Sequence, residues 1–140
     1  MKKKLRKRKG EIPDHAIMVL LAIVTFFTII IASMQYIQAA DKYLTANRIA
    51  RKYMLKMESY THGYLSQDDA TQLEEDFENN GFTNIDLTGS TFNEVDNGGD
   101  IYLDIKYCET IKELQIKGFS IQFVNVTENC EIQDSSTSKN

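Results

Sequence analysis

The chain is poor in side chains that carry chemistry. It has no Trp, two His (His15 and His62) and two Cys (Cys108 and Cys130). No Cys, Ser or carboxylate is spaced to give either His a base–nucleophile partner, so catalysis has no residues to carry it and an enzyme is not expected. Two Cys without a nearby His do not make a zinc site. Cations are scarce in the second part: residues 58–140 hold four Lys/Arg (Lys106, Lys112, Lys117, Lys139) against seventeen Asp/Glu, a net −13. An acidic surface does not suit a phosphate backbone, which excludes nucleic acid as a partner. The one proline is Pro13, and neither Gly nor Pro follows until Gly63. Nothing in that stretch breaks a helix.

Charge is also missing from Ala16–Met34, a run of nineteen residues. At about 1.5 Å each, such a run reaches roughly 28 Å, close to the ~30 Å hydrocarbon core of a bilayer. Seven Lys and Arg crowd the nine residues that open the chain. The positive-inside rule keeps this block in the cytoplasm and places residues from about Gln35 onward outside. The cations beyond the run (Lys42, Arg48, Arg51, Lys52, Lys56) are more diffuse, and Asp41 interrupts them. A cleaved secretory signal peptide is the competing reading. The run is longer than the ~7–15 residues usual there, and the nearest small-residue cleavage site, Gln38-Ala39-Ala40, is weak. The lipid bilayer is thus the first expected partner, with the basic tip acting as a topology signal that touches anionic lipid.

The expected fold is α+β: a long N-terminal helix, one short helix and a small antiparallel sheet. Pro13 suits the first turn of the long helix and Gly63 its end. After the membrane, Tyr36, Ala39, Ala40, Tyr43, Ala46, Ala50, Tyr53, Met54, Met57 and Tyr60 recur at helical spacing and predict an amphipathic continuation. Asp41, Lys42, Thr45, Arg48, Lys52 and Lys56 occupy its other face. Ser66 caps a second helix, with Asp68 and Asp69 at its positive end, Ala70, Leu73 and Phe77 as its apolar stripe, and Asn79-Asn80-Gly81 closing it. From Phe82 the period becomes two: Ile85 and Leu87; Ile101, Leu103, Ile105 and Tyr107; Phe119, Ile121 and Phe123. Asp96-Asn97-Gly98-Gly99-Asp100 reads as a hairpin turn between strands. One sheet face should pack on the long helix. The segments follow: 1–10 a basic cytoplasmic leader, 11–35 the transmembrane part of the helix, 36–134 an extracytoplasmic domain, and 135–140 a polar, disordered tail.

Other features have plain readings. Asp68, Asp69, Glu74, Glu75, Asp76 and Glu78 form a solvated helix face. Asp96-x-Gly98-x-Asp100 lacks the ligand spacing and terminal Glu of a calcium loop, so neither metal nor cofactor is expected. Asn125-Val126-Thr127 matches a glycosylation acceptor, but it continues an alternating strand. Cys108 and Cys130 lie outside the membrane, where a disulfide persists. Closing their loop of about 23 residues would stabilise the domain by roughly 3 kcal/mol. Two free thiols are the alternative, since Cys108 falls opposite Leu103 and Ile105.

Three segments carry a family resemblance: Lys9-Gly10 before the apolar run; Ala46-Asn-Arg-Ile-Ala-Arg-Lys52; and the stretch from Gly81 through Asp100-Ile-Tyr-Leu-Asp-Ile-Lys106. In this layout the chain resembles type IV pilin-like proteins, and among them the TadE-like pseudopilins, including short variants from bacterial mobile elements. The resemblance implies cleavage after Gly10 by a prepilin peptidase on the cytoplasmic face, leaving Glu11 as the mature N-terminus. It also implies a Glu at the fifth mature position, which registers neighbouring subunits through a free N-terminal amine. Here that position is His15, with Asp14 one residue earlier as the substitute. The chain therefore fits a minor subunit, or an uncleaved anchored relative, better than a major pilin. The implied function is a pilin-like component of a pilus, secretion or conjugation apparatus. Its partners would be other pilin-like subunits or assembly-platform proteins, and its apolar helix would pack through Met18, Leu20, Phe26, Phe27, Ile30 and Ile31. The alternative is a single-pass anchored binding or regulatory module that is neither processed nor polymerised.

Overall fold

The computed structural model describes residues 11–59, 61, 63–118 and 120–139, with backbone alone at 11–14, 116 and 121. The basic leader, including Gly10, lies outside the described residues.

One unbroken helix, α1, runs Glu11–Ser59, roughly 70 Å at 1.5 Å per residue. Pro13 falls in its first turn, where a missing N–H costs no hydrogen bond. α2, Gln67–Asn79, begins as expected: the Ser66 hydroxyl accepts from the Asp69 N–H at 3.2 Å. Three strands follow, β1 (Phe82–Asp86), β2 (Asp100–Lys117) and β3 (Ser120–Thr137), in the order β1-β2-β3 and antiparallel throughout. The architecture is α+β, with the sheet packed on the C-terminal part of α1 and on α2.

The core forms where these layers meet. α1 contributes Ala46, Ala50, Tyr53, Met54 and Met57, α2 contributes Ala70, Leu73 and Phe77, and β2 contributes Ile101, Leu103, Ile105 and Tyr107. Alternation along β2 sends these four residues to one face. Phe77, Phe82 and Tyr107 pack mutually tilted or edge-to-face with ring centroids 5.0–5.3 Å apart, the geometry that aromatic quadrupoles favour. The amphipathic stripe of α1 is shorter than its spacing predicts. Tyr36 and Tyr43 stay exposed, and full burial begins only at Ala46.

The sheet departs from expectation in three places. Phe82, which opens β1, and Leu87, just past its end, are both buried although an odd number of steps separates them. A register shift between Thr83 and Asp86, with Asn84 at φ +52°, absorbs the extra residue. The Asp96–Asp100 turn joins no hairpin. Gly99 N–H donates to Asp96 C=O, but the turn lies against the end of β3: Gly98 N–H donates to Ser138 C=O at 2.8 Å and Ser138 N–H to Gly99 C=O at 2.9 Å. The true hairpin joins β2 to β3, with Lys117 opposite Ser120 and Gly118 at φ +63° in the loop. A positive φ of this kind is what a two-residue hairpin loop demands.

The predicted disordered tail is also corrected. Residues 135–137 complete β3, Ser138 is buried, and Lys139 N–H donates to Glu58 C=O at 3.1 Å. Polar composition suggested disorder there, but strand pairing uses backbone groups, which Ser and Thr supply as well as any residue. This strap closes over Gly63, which sits at φ +76°; a Cβ there would stand 2.8 Å from the Ser138 Cβ. Gly63→Ala is expected to destabilise the protein by about 1–3 kcal/mol through both the backbone conformation and the clash. Denaturation of the full chain in detergent measures this, and an unchanged midpoint would refute the close approach.

Candidate functional site

The feature that needs a function is the first half of α1. Residues 15–30 are all exposed, among them Met18, Leu20, Phe26 and Phe27. The apolar side chains cover the whole circumference and leave no polar stripe for water, the pattern of a helix surrounded by hydrocarbon. The helix is long and apolar enough to cross a membrane. The hydroxyls in the apolar run satisfy themselves: those of Thr25, Thr28 and Ser33 donate to the carbonyls of Leu21, Val24 and Ile29, one turn back. Such back-bonding is how hydroxyls are accommodated where no water reaches.

The second half of α1 meets a different environment. Lys42 reaches the Gly81 carbonyl at 3.5 Å and lies 5.2 Å from the Phe82 ring centroid. Arg51 pairs with Asp134 on β3 at 3.2 Å, Lys52 with Asp76 on α2 at 2.8 Å, and Lys56 with Asp69. The acidic face of α2 is therefore not wholly solvated: Asp69 is buried and Asp76 half-buried, both turned toward α1. The hydrogen bond from Lys52 holds the Asp76 carboxyl below the usual range, and burial pushes the Tyr53 hydroxyl, which donates to Asp76 at 3.0 Å, upward. Lysines 52 and 56 stand one turn apart and their acids two turns apart, so the signal was present as spacing but not as a pairing.

The same clamp continues at the end of the chain. Glu58 is 2% exposed and accepts from the Lys139 ammonium. That bond, with one from Ser136, holds the Glu58 carboxyl below its ordinary 4.5. Because the folded-state value is depressed, this contribution to stability is present above pH 4.5 and is lost as pH falls through the folded value. The Lys139 side chain is 61% exposed, and solvent screening limits the contribution to about 1 kcal/mol. Lys139→Ala should cost about that at neutral pH. Denaturation against pH checks it: the gap from the parent should close in acid, and a constant gap would show that Glu58 is not responsible.

The remaining candidate residues do not converge. His15 is exposed on α1, and Asp14 precedes it in the same helix; His62 lies outside the described residues. Glu11 opens the described helix, and Gly10 lies outside the described residues. The disulfide is not formed. Cys108 stands opposite Asn129 and Cys130 opposite Tyr107, so the two thiols leave opposite faces of the sheet, and both are free. Cys108 donates to Asn129 Oδ1 at 3.0 Å. Burial, and then the Glu109 carboxylate, push the Cys130 thiol up, which makes it inert rather than nucleophilic. Unreduced protein alkylated under denaturing conditions should take up two labels, and under native conditions Cys130 should lag; an intact mass lower by two protons with no label would restore the disulfide. Among the described residues, no three His, Cys, Asp or Glu side chains are grouped to hold a metal ion.

Sequence reasoning missed the length of the β2–β3 hairpin, eighteen residues in each strand. Its outer part lies beside α1 where the helix leaves the domain. Lys112, Phe123 and Asn125 line a groove there with Ile31, Met34, Gln35 and Gln38. Comparison with family models, with curated proteins and with solved structures found no match.

Proposed function

We propose that the chain is a membrane-anchored, pilin-like minor subunit or assembly component, with its N-terminus in the cytoplasm and its acidic domain outside. The observation that carries this reading is the continuity of α1, which passes without a break from an uncovered apolar segment into the core of a small α+β domain. A separate anchor would need only a flexible joint, whereas a rigid one transmits orientation and translation of the membrane segment to the domain. The orientation is supported by where the cations are engaged. Arg51, Lys52 and Lys56 are paired with acids of the domain. The seven cations of the leader are then the dominant basic signal beside the membrane segment.

In this reading the work is physical rather than catalytic. The bilayer holds the subunit through the apolar helix, and assembly moves that helix from lipid to the helices of pilin-like neighbours or an assembly platform. The resemblance around Gly10 adds processing by a prepilin peptidase. His15, standing where the resembled proteins carry Glu, favours a second reading, an unprocessed single-pass anchor for a binding or regulatory domain.

Intact mass and N-terminal sequencing of protein recovered from its native membrane separate the two. A chain beginning at Glu11 is expected, and Gly10→Leu should abolish the trimming without displacing the protein from the membrane. A chain that keeps Met1 or Lys2 would overturn processing and leave the anchored module. A chain beginning near Ala40 or Asp41 would overturn both, because α1 would then have been a signal peptide.

A further inference from the structure

The hairpin can be followed along α1 by its contacts. Near the end of α1, Glu58 meets Lys139 just beyond β3. One level down, Arg51 meets Asp134, which pairs with Leu103. Next, Lys42 covers Phe82, which pairs with Glu109. Last, Lys112, Phe123 and Asn125 reach Ile31, Met34, Gln35 and Gln38. β2 thus descends α1 toward its apolar half. Lys112 and Asn125 are paired across the strands and belong to the alternation set opposite Ile105 and Tyr107, so the twisted two-stranded ribbon presents its other face to the helix here. Below Ile31 the helix is bare. Helix and hairpin part at this point, and the groove between them opens toward the apolar segment.

Three properties identify what fills it. The groove is graded: Ile31, Met34 and the 65% exposed Phe123 are apolar, whereas Gln35, Gln38, Lys112 and Asn125 are polar. The Gln35 Nε2 is buried without a hydrogen-bond partner, a donor that calls for an acceptor. The charge is local. Residues 110–127 carry Lys112, Lys117 and Glu113, a net +1, while the rest of 58–140 carries −14. The hairpin end is the cationic patch of an acidic domain, and it lies where the apolar run Ala16–Met34 ends.

We propose that this groove seats a phospholipid of the leaflet next to the domain, with anionic headgroups preferred. An acyl chain lies against Ile31, Met34 and Phe123. The headgroup phosphate and ester oxygens accept from Lys112, Gln35, Gln38 and Asn125, and Lys117 faces the same anionic surface from the hairpin end. Apolar body below and cationic tip above is the arrangement by which lysines settle at a bilayer interface. The proposal rests on the reading of α1 as a membrane anchor.

The absence of Trp from the chain provides the test. Phe123→Trp gives a single fluorophore in the groove, and Phe27→Trp gives one in the apolar run. Each full-length variant is reconstituted in phosphatidylcholine vesicles, with and without about 30% phosphatidylglycerol. The lipid is brominated either near the glycerol end of its chains or near their ends. Phe27→Trp should be quenched most by bromine deep in the chains. Phe123→Trp should be quenched most by bromine near the glycerol, and more strongly with phosphatidylglycerol present. Adding Lys112→Glu should lower the lipid-contacting population about fivefold or more in the anionic vesicles, since the loss of one surface cation weighs roughly fivefold and the new carboxylate adds repulsion. If Phe27→Trp is quenched and Phe123→Trp is not, the groove holds no lipid and the proposal falls while the anchor stands. If neither is quenched, the anchor fails and takes the proposal with it. Quenching of Phe123→Trp that disappears as protein density rises would assign the groove to a second copy instead. Quenching indifferent to phosphatidylglycerol and to Lys112→Glu would overturn the headgroup assignment.

Discussion

A helix satisfies its own backbone whatever surrounds it, and the rest of this molecule depends on that. α1 keeps one hydrogen-bonding pattern from Glu11 to Ser59 while its environment changes beneath it. In the first half side chains alone meet the surroundings, and they are apolar on every side. In the second half Ala46 and Ala50 are small enough to let the sheet approach, while Tyr53, Met54 and Met57 fill the space further along. A strand could not make this passage, because its backbone groups would need partners within the bilayer. The domain is organised around a rod, a helix that is long and apolar enough to cross a membrane.

The attachment of domain to rod uses burial first and charge second. Large apolar contacts give most of the energy, at roughly 25 cal/mol per Å² removed from water. The pairs from Arg51, Lys52 and Lys56 set which way the helix is turned. Exposed pairs of this kind contribute little to stability; several spaced along one helix nevertheless favour one rotation of α1 about its axis over others. The buried Asp69 and Glu58 sites matter more, because an unpaired carboxylate there would be costly. Edge protection follows the same economy of parts. Ser90 and Thr91 stand against the β1 side of β2, where β1 no longer runs, and their hydroxyls accept from Asp104 N–H and Tyr102 N–H. Two hydroxyls thus take the place of a longer β1.

Much of this was legible in the sequence where the cause is local. The lack of Pro and Gly between Pro13 and Gly63, the Ser66 cap, the stripe Ala70–Leu73–Phe77 and the alternation from Ile101 to Tyr107 each act through near neighbours, and each appears in the structure. Features with distant causes were not legible. Nothing in Thr83-Asn84-Ile85 announces a bulge, because the bulge reconciles Phe82 with Leu87 against a strand that comes later. The turn at Gly118 was hidden behind the stronger signal of Asp96–Asp100, whose glycines serve the end of β3 instead. The polar residues after Asp134 resemble a loose end in composition, yet their backbone is bound by the turn at Gly98 and by Glu58. Of the site, the apolar run was plain from charge alone. The hairpin beside Ile31 and Gln35 was not, since it depends on how far a ribbon extends and twists once folded.

The strands lie lengthwise beside the rod, and this settles how the domain bears a load. Inter-strand hydrogen bonds run perpendicular to the strands. A pull on Lys139, where the chain beyond β3 meets Glu58, acts at the open end of the β2–β3 hairpin, because β2 begins at that same end. It would load the ladder one rung at a time, beginning with Asp100 and Thr137. The bonds of Ser138 with Gly98 and Gly99, and of Lys139 with Glu58, stand ahead of that first rung. The short strap beyond β3 is therefore the latch on a ladder of eighteen paired residues.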